Sequence, residues 1–152
     1  PDRSRNVRAA TYHDVEQMQG TPFHMAERSV PITQEAPAAI AYFTGAAHVE
    51  ELAHIRLLPG AVADHLTSTG GVLIGGSQMP ATAWLDQGAT ASYGTVSEPC
   101  NHLPKFPNIG VFLRHYGRGE TVLEAYWKSV EMPGQGLFIG EPLARPYATH
   151  RQ

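Results

Sequence analysis

The sequence predicts an α/β domain: a short, mainly parallel sheet flanked by helices. Three observations predict it. Apolar runs of strand length recur at 37–45, 61–63, 89–94 and 136–140, each bounded by Gly, Pro or polar turn residues. They lack the apolar-polar alternation of a half-solvated strand, as expected for strands covered on both faces. Segments of helical spacing lie between them, and no hairpin array is visible. The order β-(α)-β-α-β-α-α-β follows.

Taken in order, the first periodic segment runs from Tyr12 to Met18, a short helix ended by Gly20 and Pro22. Before it, the polar opening carries Arg3, Arg5 and Arg8. Such an arm is expected to be solvated, with docking onto a partner as the alternative. Residues 1–36 thus form an arm and short helix, 37–147 the α/β domain and 148–152 a tail. The run 37–45 is the first strand. Between it and the next, Val49, Leu52 and Ile55 are spaced to face inward from one or two helical turns. Pro59-Gly60 introduces Ala61-Val62-Ala63, which passes directly into Asp64-His65-Leu66-Thr67-Ser68. An apolar body with a polar tip marks a strand leaving the core at its carboxyl end, the edge where open α/β sheets collect ligands.

The glycine pairs Gly70-Gly71 and Gly75-Gly76 bracket Val72-Leu73-Ile74, a loop or small hairpin. Ser77 is placed to cap a helix from about Met79 to Gln87 that carries Trp84 and stops at Gly88. The third strand, 89–94, follows, and 97–107 is polar and irregular. Asn108 caps a helix presenting Val111, Phe112, His115 and Tyr116. The next helix, Glu120 to Val130, repeats Val122, Leu123, Tyr126, Trp127 and Val130 as a core-facing stripe, with Glu120 and Lys128 matching its dipole. Pro133 ends it, and 136–140 is the last strand.

Composition narrows the function classes. The chain has 152 residues, 42% hydrophobic and 16% charged, with a formal net charge of −3, values of one globular domain and not of a disordered chain. No Lys/Arg run exists to neutralise phosphates, so nucleic acid is not expected as a partner. No stretch approaches the about 18 consecutive apolar residues of a membrane span. One cysteine, Cys100, precludes an internal disulfide and leaves the compartment open. The chain opens at Pro1 without a charged-then-apolar leader, as expected of an exported protein after processing or of a fragment.

Several strings carry a resemblance. Ala41-Tyr42-Phe43-Thr44-Gly45-Ala46, the stretch from Leu58 to Ser68, and Gly88-Ala89-Thr90-Ala91-Ser92-Tyr93-Gly94 through Asn101 resemble an uncharacterised exported bacterial family. Arg118 to Val130 and Pro133 to Leu143 fit it too, so the resemblance spans roughly 37 to 147. More distantly, the arrangement is similar to gingipain-type cysteine peptidases, which have a caspase-like fold. Gly140-Glu141-Pro142 stands where their last core strand ends in a Gly-Asp-Pro-like turn. The resemblance implies a caspase-like half domain, the C-terminal portion of a longer protein, in a periplasmic or extracellular setting. It implies a probable protein partner or a missing N-terminal portion. In that family a His follows one strand and a Cys the next. Here Ala46 stands in the His place and His65 in the Cys place, which implies a scaffold that has lost its catalytic pair.

Four residues are the candidates for chemistry. His65 at a strand end beside Asp64 has the makings of a general base, although adjacent strand residues point to opposite faces. The competing reading is a hydrogen-bonded structural histidine. Cys100, in Cys100-Asn101-His102, is a candidate nucleophile activated by His65 or His102, against a small residue packed between Pro99 and Pro104. The eight histidines show no metal-ligand spacing, and no cofactor or metal is expected. Thr90-Ala91-Ser92-Tyr93-Gly94 lacks the first glycine of a nucleophile elbow, and the glycine pairs near Val72 lack a phosphate loop's Lys-Ser/Thr. Tyr126 and Trp127 read as core. Two functions stand: a non-catalytic scaffold or binding subunit of an exported assembly, or a hydrolase-like relative of thiol peptidases.

Overall fold

The computed structural model describes residues 6–12, 15, 23 and 37–148. These form an α/β domain around a four-stranded, mostly parallel sheet. The strands are β1 (Ala39–Thr44), β2 (Leu57–His65), β3 (Ala91–Thr95) and β4 (Gly136–Gly140). They lie side by side in chain order; β1 with β2 and β2 with β3 are parallel, and β3 with β4 is antiparallel. The helices are α1 (Thr82–Asp86), α2 (Ile109–Gly117) and α3 (Val122–Ser129). The expected helix from Tyr12 to Met18 lies mostly outside the described residues, as do residues 149–152 of the expected tail.

Helices cover both faces, which is why the strands read as continuous apolar runs. On one face Val62, Ala91 and Tyr93 pack with Phe112, Tyr116 and Tyr126 from α2 and α3. On the other, Ala63 packs with Trp84 of α1, Val49, Ile55 and Met79. The inward spacing read at Val49 and Ile55 holds, although the segment between them winds only as a 3₁₀ turn, Leu52–His54. Successive residues of β2 thus face opposite layers: Val62 and Asp64 lie toward α2 and α3, Ala63 and His65 toward α1.

Three elements depart from their expected form, each for a local reason. Strand β2 begins at Leu57, not at Ala61, and the Pro59-Gly60 turn sits inside it as an irregularity. Partner residues jump from Ala39↔Leu57 to Ala41↔Val62, so extra residues bulge from β2, and Gly60 takes φ 85° there. Helix α1 starts at Thr82, after Pro80 and without a side-chain cap from Ser77. The residue before a proline is steered from helical backbone, so Met79 stays outside the helix. In α3 the buried face is Val122, Ala125, Tyr126 and Ser129, while Leu123 is exposed and Trp127 is 66% exposed. A stripe as wide as the one expected exceeds what one layer covers, and a Thr121–Glu124 capping box closes the helix start.

The loop after β2 is stapled to β3. Gly71 N–H donates to the Thr95 carbonyl at 2.8 Å, and Gly94 meets Gly70 and Gly71 so closely that a Cβ on it would lie 2.4 Å from their backbone atoms. Backbone cannot rotate aside as a side chain can. Gly94→Ala is therefore expected to destabilise by about 1–3 kcal/mol, read as a lower urea midpoint. An unchanged midpoint would show that the loop does not lie against β3.

Candidate functional site

Parallel strands deliver their carboxyl ends to one rim. Thr44 pairs with His65 across β1 and β2, and Leu66 N–H extends the ladder to the Thr44 carbonyl at 3.0 Å. Beyond it the chain keeps its polar tips inside. Thr67 and Ser68 are buried, and Thr95 Oγ1 donates to the carbonyl of Thr67 at 2.8 Å. Gln78 Oε1 accepts from Thr67 Oγ1 at 2.6 Å and from Thr69 N–H at 2.8 Å, closing the 69–78 loop on itself.

His65 faces α1. Its Nδ1 accepts from Trp84 Nε1–H at 2.9 Å, so its Nε2 carries the proton and donates to the Met79 carbonyl at 2.9 Å. Both ring nitrogens are consumed by buried partners. The imidazole has no lone pair facing the rim with which to take a proton.

Asp64 points into the opposite layer. The N-terminal segment Asn6–Thr11, a 3₁₀ turn, brings Arg8 down onto it, and Arg8 Nη1 donates to Asp64 Oδ1 with both side chains fully enclosed. Arg8 is thus not solvated, contrary to the expectation for the arm. Its guanidinium lies 5.2 Å from the centre of the Phe43 ring and 6.0 Å from that of Phe106, and it reaches the Thr44 and Pro107 carbonyls at 3.5 Å. Asp64 Oδ2, Arg8 Nε and the hydroxyls of Tyr93 and Tyr126 are buried without a hydrogen-bond partner among the described residues. Burial and the nearby Asp64 carboxylate push the Tyr93 phenol up to about 12 and the Tyr126 phenol well above its ordinary value, so both are neutral.

The loop after β3 forms a third group. Ser68 Oγ donates to Glu98 Oε2 at 2.5 Å, and Lys105 Nζ, on a 3₁₀ turn (Leu103–Lys105), donates to the Ser97 carbonyl. Lys105 is only 2% exposed; burial lowers its pKa, opposed by the Glu98 carboxylate and Cys100. Cys100 is half-buried, and His102 is exposed. No hydrogen bond joins Cys100 to a histidine among the described residues.

Of the four sequence candidates, the structure separates Asp64 from His65 across the sheet. Cys100 and His102 share the loop after β3. Sequence reasoning did not reach Arg8, Trp84, Tyr93, Tyr126 or Lys105. Only the arm's arginines hinted at a cation seeking a carboxylate, and nothing local singled out Lys105. Among the described residues no cluster of three or more His, Cys, Asp and Glu side chains could hold a metal ion, and no helix is long and apolar enough to cross a membrane. A hollow of about 80 Å³ opens between α3 and β4, lined by Tyr93, Leu123, Tyr126, Trp127, Val130 and Phe138. No protein-family model, curated protein or solved structure matches the chain.

Proposed function

We propose that the chain is a non-catalytic binding module, a scaffold or subunit of an exported assembly built on a caspase-like, gingipain-type half domain. One observation carries the reading. The strand-end histidine has both nitrogens committed to Trp84 and Met79, and its carboxylate neighbour is committed to Arg8 on the other face. A base and its orienting acid need to share one hydrogen-bonded line, and these two cannot. An apolar patch gives the module a surface to bind with: Leu123 and Trp127 are exposed on α3, beside the hollow lined by Tyr126, Val130 and Phe138. β4 is also an edge of the sheet, with one side of its backbone unpaired by any described strand.

A second reading, a hydrolase-like enzyme using Cys100 with His102, keeps one observation in its favour. The buried Lys105 ammonium lies within electrostatic reach of Cys100, and a neighbouring cation is a feature that reactive cysteines share. Alkylation separates the two readings. With iodoacetamide at pH 6 to 9, the folded chain is expected to react no faster than the urea-unfolded chain. A folded-state rate about tenfold higher, persisting below pH 7, would sink the module reading and restore the thiol enzyme.

A further inference from the structure

The Asp64 pocket has the composition of a receptor for one chemical group. A carboxylate lies at its floor, the Phe43 and Phe106 rings flank it, and the Thr44 and Pro107 carbonyls turn inward. A planar cation with several N–H donors can lie between the two rings and reach the carboxylate and both carbonyls at once; a spherical ammonium cannot. Every one of these walls belongs to β1, β2 or the loop before α2, none to the segment that supplies the cation. The fit is also unsaturated, since Asp64 Oδ2 and Arg8 Nε are enclosed without a hydrogen-bond partner among the described residues, whereas Arg–carboxylate pairs frequently close as a two-pronged fork.

We propose that this pocket is a guanidinium-binding site, preformed by the sheet and its loops, and that Arg8 is its docked, exchangeable occupant. The ligand class is an alkylguanidinium, naturally an arginine side chain presented by the N-terminal segment. The inference goes beyond the module reading and stands whether or not Cys100 proves reactive.

Vacating the site tests it. Arg8→Ala is expected to lower the melting temperature of the full chain. Millimolar ethylguanidinium is expected to restore at least half of that loss in a saturable manner. Tetramethylammonium, of equal charge but without donors, restores nothing. The controls are the wild-type chain and Arg8→Ala/Asp64→Leu, in which neither cation raises the midpoint. If the Arg8→Ala chain does not fold alone, its refolding yield with and without ethylguanidinium becomes the readout. A yield or melting temperature indifferent to ethylguanidinium, or a rise equal in the double variant, overturns the proposal and leaves Arg8–Asp64 an ordinary internal ion pair.

Discussion

Asp64→Ala is expected to destabilise the chain by about 3–5 kcal/mol, because it leaves the Arg8 guanidinium enclosed with no counter-charge. Against the ~5–15 kcal/mol that holds a typical domain together, that is about a fifth of the total or more. The urea midpoint followed by circular dichroism at pH 7 measures it. The same physics predicts an opposite result for the pair. Desolvating two charges costs nearly what their attraction returns, so Arg8→Met/Asp64→Leu is expected to stand within about 1–2 kcal/mol of wild type, or above it. A loss under ~1 kcal/mol for Asp64→Ala would mean that the N-terminal segment does not dock in solution.

The pH dependence of this pair has a definite sign. Burial pushes the Asp64 carboxyl up, against the opposing pull of Arg8. With a folded value above the unfolded ~3.9, the native state holds that proton more tightly than the unfolded chain does. The proton linkage of Asp64 then favours the folded chain most below about pH 4, and that increment is lost as pH rises through its folded value, leaving the ion pair with Arg8 in place. Glu120 acts in the other sense: hydrogen bonds from Lys128 and His115 hold its carboxyl down, so its contribution is present above the unfolded ~4.3 and is lost as pH falls through the folded value.

These residues also show what a sequence can and cannot display. The parallel order was legible because Ala61-Val62-Ala63 is apolar at successive positions and Ala91-Ser92-Tyr93 carries no charge on either side, as a doubly covered sheet demands. The separation of Asp64 from His65 was legible for a simpler reason, the two-residue period of a strand. The destination of each side chain was not. Arg8 lies 56 positions from Asp64, and nothing in the polar opening marks Arg8 for burial. The Trp84 indole reaches His65 from a helix that starts at Thr82, later than the cap read at Ser77 implied. Leu123 and Trp127 have the spacing of a core stripe, and spacing alone does not say how wide a face the neighbouring layer can cover.

The second large effect is expected at His65, and it weighs directly on what the strand edge does. A catalytic histidine at a rim is usually dispensable for folding, because solvent satisfies whatever it leaves behind. His65→Ala here removes a buried ring and strands two enclosed groups, the Trp84 N–H and the Met79 carbonyl. Each stranded group costs about 1–3 kcal/mol, so a total loss of roughly 3–5 kcal/mol is expected in the urea midpoint. Trp84→Phe keeps the ring and removes only the donor, for about 1–3 kcal/mol. Because the two changes break the same hydrogen bond, their combination is expected to fall short of the sum by about 0.5–3 kcal/mol. Nitrogen NMR adds a readout that stability does not: His65 is expected as the Nε2–H tautomer, reverting toward a mixture in Trp84→Phe. A His65→Ala chain as stable as wild type would free the imidazole from this chain of bonds and return it to the rim as a base.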